Sequence, residues 1–269
     1  MLRELARRQA RPAGDAAVTR PAAERWPPRG ICFVPRLGEY LARFEQEPLA
    51  SLFGRPAALA RALRRASTLL ALEVECLDVP AAWILHSAGW PATVGDASIV
   101  LAGAPTEIRT PVESLTQGPL LAAIASLRTL RSPTTASAPA TLVALPSPAT
   151  LAKSAGAGQA EWSRAVLQAL VRALGDLDFL AGIMLDGDDG VATLGRLLDH
   201  YQMTAVCMRP PGDTRSVPPG ALAARALPIT SLAGAAKVDT GGALLVTCDG
   251  PVSSSVAPDD LMRASRAIR

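Results

Sequence analysis

Residues 180–209 read LAGIMLDGDDGVATLGRLLDHYQMTAVCMR. The stretch opens on a continuous apolar run at 180–185 and closes on a second at 204–208. Between them, 191–201 spaces its apolar residues as one face of a helix. A strand, a helix and a strand in so short a span make a βαβ unit, whose strands run parallel. The runs are too continuous for strands with one wet face, which is how strands buried on both faces read.

Working outward, the same alternation fills the chain. Further apolar runs stand at 31–35 (ICFVP), 72–77 (LEVECL), 141–145 (TLVAL), 226–229 (ALPI) and 243–247 (ALLVT). Helical patterns occupy 57–71, 117–130, 160–174 and 258–268. Residues 92–103 instead read as a β-hairpin turning near Gly95-Asp96. Alternating strands and helices predict one α/β domain over 30–269, a TIM-like (β/α) barrel, behind a basic arm at 1–29 with a short helix at 2–9. Seven strands and the hairpin can be counted. The barrel is about one βα unit short, with 177–180 (LDFL) as the candidate remnant.

Composition narrows the function classes. The chain has 269 residues, 49% of them hydrophobic and only 4% aromatic, so a large core must be built from Ala, Leu and Val. No apolar run reaches the roughly 20 residues that span a bilayer. The net charge of +3 is unevenly placed. Residues 1–30 carry seven Arg against three acids, and the remainder has one more acid than base. The body therefore has no basic stripe for nucleic acid. Cys32, Cys76, Cys207 and Cys248 are far apart and show no metal-ligand spacing, so free thiols in a reducing, cytoplasmic setting are expected. The excess of Arg over Lys, with abundant Ala and Pro, suggests a bacterial source.

The candidate site lies where the strands end. Read to their C-terminal ends, the runs finish in Arg36, Asp78, Ser147, Asp186, Arg209, Thr230-Ser231 and Cys248-Asp249. In a parallel barrel these ends converge on one mouth, where catalytic groups gather. Carboxylates and guanidiniums there would serve acid/base work or clamp an anionic small molecule. His86, before Gly89, is a further candidate at the substrate, although a half-buried structural histidine accounts for it as well.

Four stretches give the chain a family resemblance. They are 33–44 (FVPRLGEYLARF), 72–89 (LEVECLDVPAAWILHSAG), 146–152 (PSPATLA) and 244–262 (LLVTCDGPVSSSVAPDDLM). In order and spacing they resemble the uroporphyrinogen decarboxylase superfamily, which also holds zinc- and corrinoid-dependent methyltransferases. The resemblance implies a cofactor-free carbon–carbon lyase of decarboxylase type. Arg36, with Arg209, would hold substrate carboxylates. Asp78 would bind substrate N–H groups or act as the acid, and Asp186 and Asp249 would support acid/base steps. Glu39 stands where the decarboxylase has a second arginine, and Asp249 stands nearest the place of its histidine. These departures imply a divergent substrate, as in specialised metabolism. The methyltransferase branch is the alternative, and a non-catalytic binding or partner subunit is the next. Zinc would require Cys248 as a ligand, with Met184 and Asp186 in the places of the usual His and Cys. No metal is therefore expected. A homodimer fits the reading, and neither nucleic acid nor membrane is an expected partner.

Overall fold

The computed structural model describes Trp26, Pro28, 31–130, 139–210, Asp213, 215–228, 231–232, 245–249, 251–253 and 255–268. Residues 1–25 of the expected arm, with its helix at 2–9, lie outside the described residues, as do Thr230 and Gly250.

Among the described residues, seven strands form one parallel sheet: β1 (Cys32–Phe33), β2 (Val74–Asp78), β5 (Ala140–Leu145), β6 (Leu180–Leu185), β7 (Thr204–Arg209), β8 (Ala221–Leu227) and β9 (Leu245–Cys248). Their order is β1-β9-β8-β7-β6-β5-β2, so the sheet curls into a nearly closed barrel. β3 (Ala92–Val94) and β4 (Ile99–Leu101) make the expected antiparallel hairpin after the second strand. Gly95 N–H donates to Ser98 O at 2.9 Å to close its turn.

Around the sheet lie α1 (Leu41–Glu45), α2 (Leu49–Phe53), α3 (Pro56–Leu69), α4 (Ala81–Ser87), α5 (Pro111–Ser114), α6 (Gly118–Leu130), α7 (Pro148–Ala155), α8 (Ala160–Gly175), α9 (Asp188–His200) and α10 (Pro258–Ile268). Proline opens α3, α5 and α7, where its missing N–H has no intrahelical partner to lose. Thr110 and Glu113 complete a capping box on α5.

The period-2 alternation of the strands divides the core in two. One face contributes Val34, Val74, Cys76, Leu142, Ala144, Met184, Val206, Met208, Ala224 and Leu245 to a small inner cluster. The other face joins the helices in the main core, through Phe33, Leu77, Val143, Leu145, Ile183, Leu185, Cys207 and Val246. The inner cluster is rich in Ala, Cys and Val. A barrel narrows as strands are removed, and here Leu142, Leu245, Met184 and Met208 share the interior with smaller Ala, Cys and Val side chains.

At the lower end Trp26 packs on this cluster and donates its Nε1–H to Thr204 Oγ1 at 2.8 Å. That tryptophan, assigned by sequence to the arm, forms the floor of the barrel.

Two expectations change. The shortfall does not lie after 160–174, because α8 turns directly into β6 through Leu177 N–H to Leu174 O, and 177–179 form no strand. The ladder is instead open between β1 and β2. Among the described residues a single backbone bond, Leu37 N–H to Cys76 O at 3.5 Å, crosses there. The strand expected at 226–229 is β8, which begins at Ala221 and ends at Leu227. Ser231 therefore lies beyond its end.

Candidate functional site

The upper end of the seam holds the densest buried chemistry. Asp78 closes β2 on the inner phase set by Val74 and Cys76, and Arg36 follows β1 in phase with Cys32 and Val34. Arg36 Nε and Nη2 both reach Asp78 Oδ1 at 2.7 Å. Asp78 is fully buried, and among the described residues its Oδ2 has no hydrogen-bond partner. Burial pushes the Asp78 carboxyl above the ordinary carboxylate range, Arg36 draws it back, and the charge of Asp186 adds to the rise. Gly38 permits this closeness, since a Cβ there would sit 2.5 Å from Asp78 O.

Glu39 was noted in the sequence only as a departure from a family pattern. It lies half-buried beside this pair, accepting from Ile99 N–H at 3.2 Å. Burial raises its carboxyl, the hairpin N–H lowers it, and Asp78 raises it again. Its signal was available in sequence: an acid three residues past a strand-end arginine.

Asp186 follows β6 and turns to the neighbouring loop, where its Oδ1 accepts from Ser147 N–H. Ser147 caps α7 by accepting from Thr150 N–H at 3.2 Å. Asp189 Oδ2 accepts from Ala149 N–H at 3.0 Å. The first amides of α7, which would otherwise suit a bound anion, are thus held by the chain's own side chains. Asp188 and Asp189 stand in the first turn of α9, where acids suit the dipole, but the backbone amide that Asp189 accepts from, that of Ala149, belongs to α7.

Of the remaining predicted residues, Asp249 keeps the inward phase of Leu245 in β9, whereas Arg209 does not face the mouth. Arg209 ends β7 in phase with Cys207, on the outer face. Its Nη2 lies 2.7 Å from Asp188 Oδ1 and its Nη1 lies 3.3 Å from Asp213 Oδ2, and it also donates to Ser216 O. Asp213 in turn holds Arg215 at 2.7 Å, and these arginines hold its carboxyl well below the usual range. His86 ends α4 with Nδ1 3.4 Å from Trp90 O. Asp249 is exposed after β9, its N–H bonded to Leu227 O. The structure therefore brings together Arg36, Asp78, Asp186, Ser147 and the unpredicted Glu39, while Arg209 belongs to a separate outer network.

A zinc site does not fit these residues. Met184 is packed in the inner cluster, and Cys248 shares the outward phase of Val246. Burial pushes the Cys248 thiol up to about 12, with Asp249 adding to the rise, so it is a poor source of thiolate. Among the described residues no three His, Cys, Asp or Glu side chains gather as a ligand set. Nor, among these residues, is any helix long and apolar enough to cross a membrane.

Fold and site define an α/β barrel of seven parallel strands with a carboxyl-rich upper end. A solved structure described as a methyltransferase from Methanosarcina mazei matches it with a TM-score of 0.66 over 92% of this chain and 96% of that chain. The two are 12% identical, so the likeness is one of fold. No family model and no curated protein matches the chain.

Proposed function

We propose that the protein is a methyltransferase-type barrel enzyme that works at the C-terminal mouth, with Asp78 as the group that meets the substrate. The observation that carries this reading is the nearly full-length match in fold to a methyltransferase. Because the zinc donors do not fit, the acceptor is activated by carboxyl groups rather than by a metal-bound thiolate. Asp78, raised by burial, is suited to take the proton that an N–H acceptor loses as its nitrogen gains a methyl group. Its unpartnered Oδ2 supports a substrate that brings a hydrogen-bond donor.

The decarboxylase reading shares Asp78, but the described residues it would use to grip an anionic substrate are already paired. Arg36 is spent on Asp78, Arg209 is spent on Asp188 and Asp213, and the α7 amides are capped. An N–H-bearing or ammonium substrate is the better match to Asp78, whose carboxyl lies within electrostatic reach of Asp186 and Glu39.

The test is methyl transfer to a simple amine, ethylamine, from methylcobalamin and from S-adenosylmethionine in parallel. Protein-dependent formation of the methylated amine is expected, with a loss of about 100-fold or more in Asp78→Asn. Product no faster than in protein-free controls, together with carbon dioxide release from a pyrrole carboxylic acid, would restore the lyase reading. Silence in both assays would favour a non-catalytic binding subunit.

A further inference from the structure

Away from the mouth, Glu75 lies fully buried on the outer face of β2, between the inward-facing Val74 and Cys76. Among the described residues, three side chains meet its carboxyl. Thr141 Oγ1 of β5 lies 2.8 Å from Oε1, and Arg64 Nη1 of α3 lies 3.3 Å from the same oxygen. Ser67 Oγ, also of α3, lies 2.9 Å from Oε2. The same Ser67 Oγ lies 2.8 Å from Leu63 O, one turn back in α3.

The geometry turns on the count of protons. A serine hydroxyl has one proton to give and two lone pairs to accept with. Ser67 therefore cannot donate in full to Leu63 O and to a carboxylate at once. Both short contacts become full hydrogen bonds when the carboxyl carries the proton. Its Oε2–H then donates to Ser67 Oγ, Ser67 donates on to Leu63 O, and Thr141 still donates to Oε1. Arg64 is placed to suit a neutral carboxyl. A guanidinium closes on a carboxylate at about 2.7–2.9 Å, as Arg36 does on Asp78 at 2.7 Å. Arg64 stands off at 3.3 Å and shares itself with Leu130 O, at the end of α6, at 3.5 Å. Burial acts in the same direction, since it raises the Glu75 carboxyl against the pull of Arg64 and both hydroxyls.

We propose that Glu75 keeps a proton in the folded protein and acts as a pH-sensitive switch between β2 and α3. With the proton on, the Ser67 hydroxyl belongs to the α3 backbone and Arg64 is shared with α6. With the proton lost to solvent, the carboxylate takes the Ser67 hydroxyl from Leu63 O and draws Arg64 away from Leu130 O. Among the described residues, Arg64 is the charged group that faces the carboxyl from α3. β5 brings the Thr141 hydroxyl, and α6 brings the Leu130 carbonyl, which meets Arg64. Cys76, next along β2 on the opposite face, feels the Glu75 charge, but its thiol is raised far above neutrality by burial and stays protonated throughout. The switch is independent of the chemistry at the mouth.

The test follows the Glu75 carboxyl carbon by NMR against pH in the full chain, with the signal assigned by its loss in Glu75→Gln. The proton affinity should be at least about tenfold above that of an ordinary glutamate. The Arg64 Nε–H and Ser67 amide signals should step at the same midpoint, and that step should be missing in Glu75→Gln, whose amide donates to Ser67 as the carboxyl O–H does. Arg64→Met removes a cation that favours the charged form alone, and should raise the proton affinity about tenfold further. Ser67→Ala takes a donor from the charged form and an acceptor from the neutral one, so it should change the affinity by less than about threefold. Where Glu75→Gln does not fold, Ser67→Ala and Arg64→Met assign the signal by displacing it. Ionisation in the ordinary glutamate range overturns the proposal. So does an Arg64 and Ser67 step that is absent from the native protein or survives Glu75→Gln, and so does an affinity that Arg64→Met leaves unchanged.

Discussion

At the scale of the residue, Arg36 and Asp78 form the pair on which the site depends. Both are nearly or fully out of water, so the Coulomb gain between them is offset by desolvation. Removing one partner leaves a buried charge with nothing opposite it. Arg36→Ala should cost about 3–5 kcal/mol in urea unfolding. Replacing both partners, Arg36→Met with Asp78→Leu, should cost less than half of that, because an apolar pair needs no compensation. Equal losses in the single and double variants would mean that the seam depends on packing alone. The two residues were legible from sequence as strand ends. That they would spend themselves on each other was not, because it depends on β1 and β2 facing each other as the two ends of the curled sheet.

At the scale of the element, the contact of α3 with β2 is governed by Glu75. It is fully buried on the outer face, accepts from Ser67 Oγ at 2.9 Å and Thr141 Oγ1 at 2.8 Å, and lies 3.3 Å from Arg64 Nη1. Burial raises its carboxyl above the ordinary range, although Arg64 and both hydroxyls oppose the rise. A carboxyl raised in the fold adds stability below its unfolded pKa, and that contribution is lost as pH rises through the folded value. Glu75→Gln, neutral throughout, should therefore melt higher than the native protein at pH 8. The gap should close as pH falls to about 4, near the unfolded value of a glutamate. A gap that widens on acidification would reverse the sign. The sequence of β8, Ala221–Leu227, shows why one strand was misplaced. Its Ala, Leu and Arg residues are strong helix formers, and only pairing with β7 and β9 makes them extended.

At the scale of the whole molecule, a seven-strand barrel must close its ends as well as its seam. Trp26 covers the lower end against the inner cluster. Trp26→Ala would leave a cavity beneath the inner cluster and should lower stability by about 3 kcal/mol in urea unfolding. Trp26→Phe, which keeps the ring but loses the bond to Thr204, should lose about 1 kcal/mol. A negligible effect of both would return Trp26 to the arm. The number of strands and the hairpin were readable because apolar runs and turn residues are local signals. The position of the gap was not, since it depends on which two strands face each other across the ring.

The sequence by itself determined the alternation of strands and helices, the parallel sheet, the hairpin at Gly95-Asp96 and the polar residues at the strand ends. Each follows from spacing within about 20 neighbouring residues. Only the tertiary structure decided which of those ends share a mouth. A strand turns successive side chains to opposite faces, so one residue of phase puts Asp78 inside and Arg209 outside. Ion pairs across 42 residues, as between Arg36 and Asp78, form only once the sheet has curled. By that pairing, groups that read as a clamp for an anion become the closure of the barrel and the carboxyl at its centre.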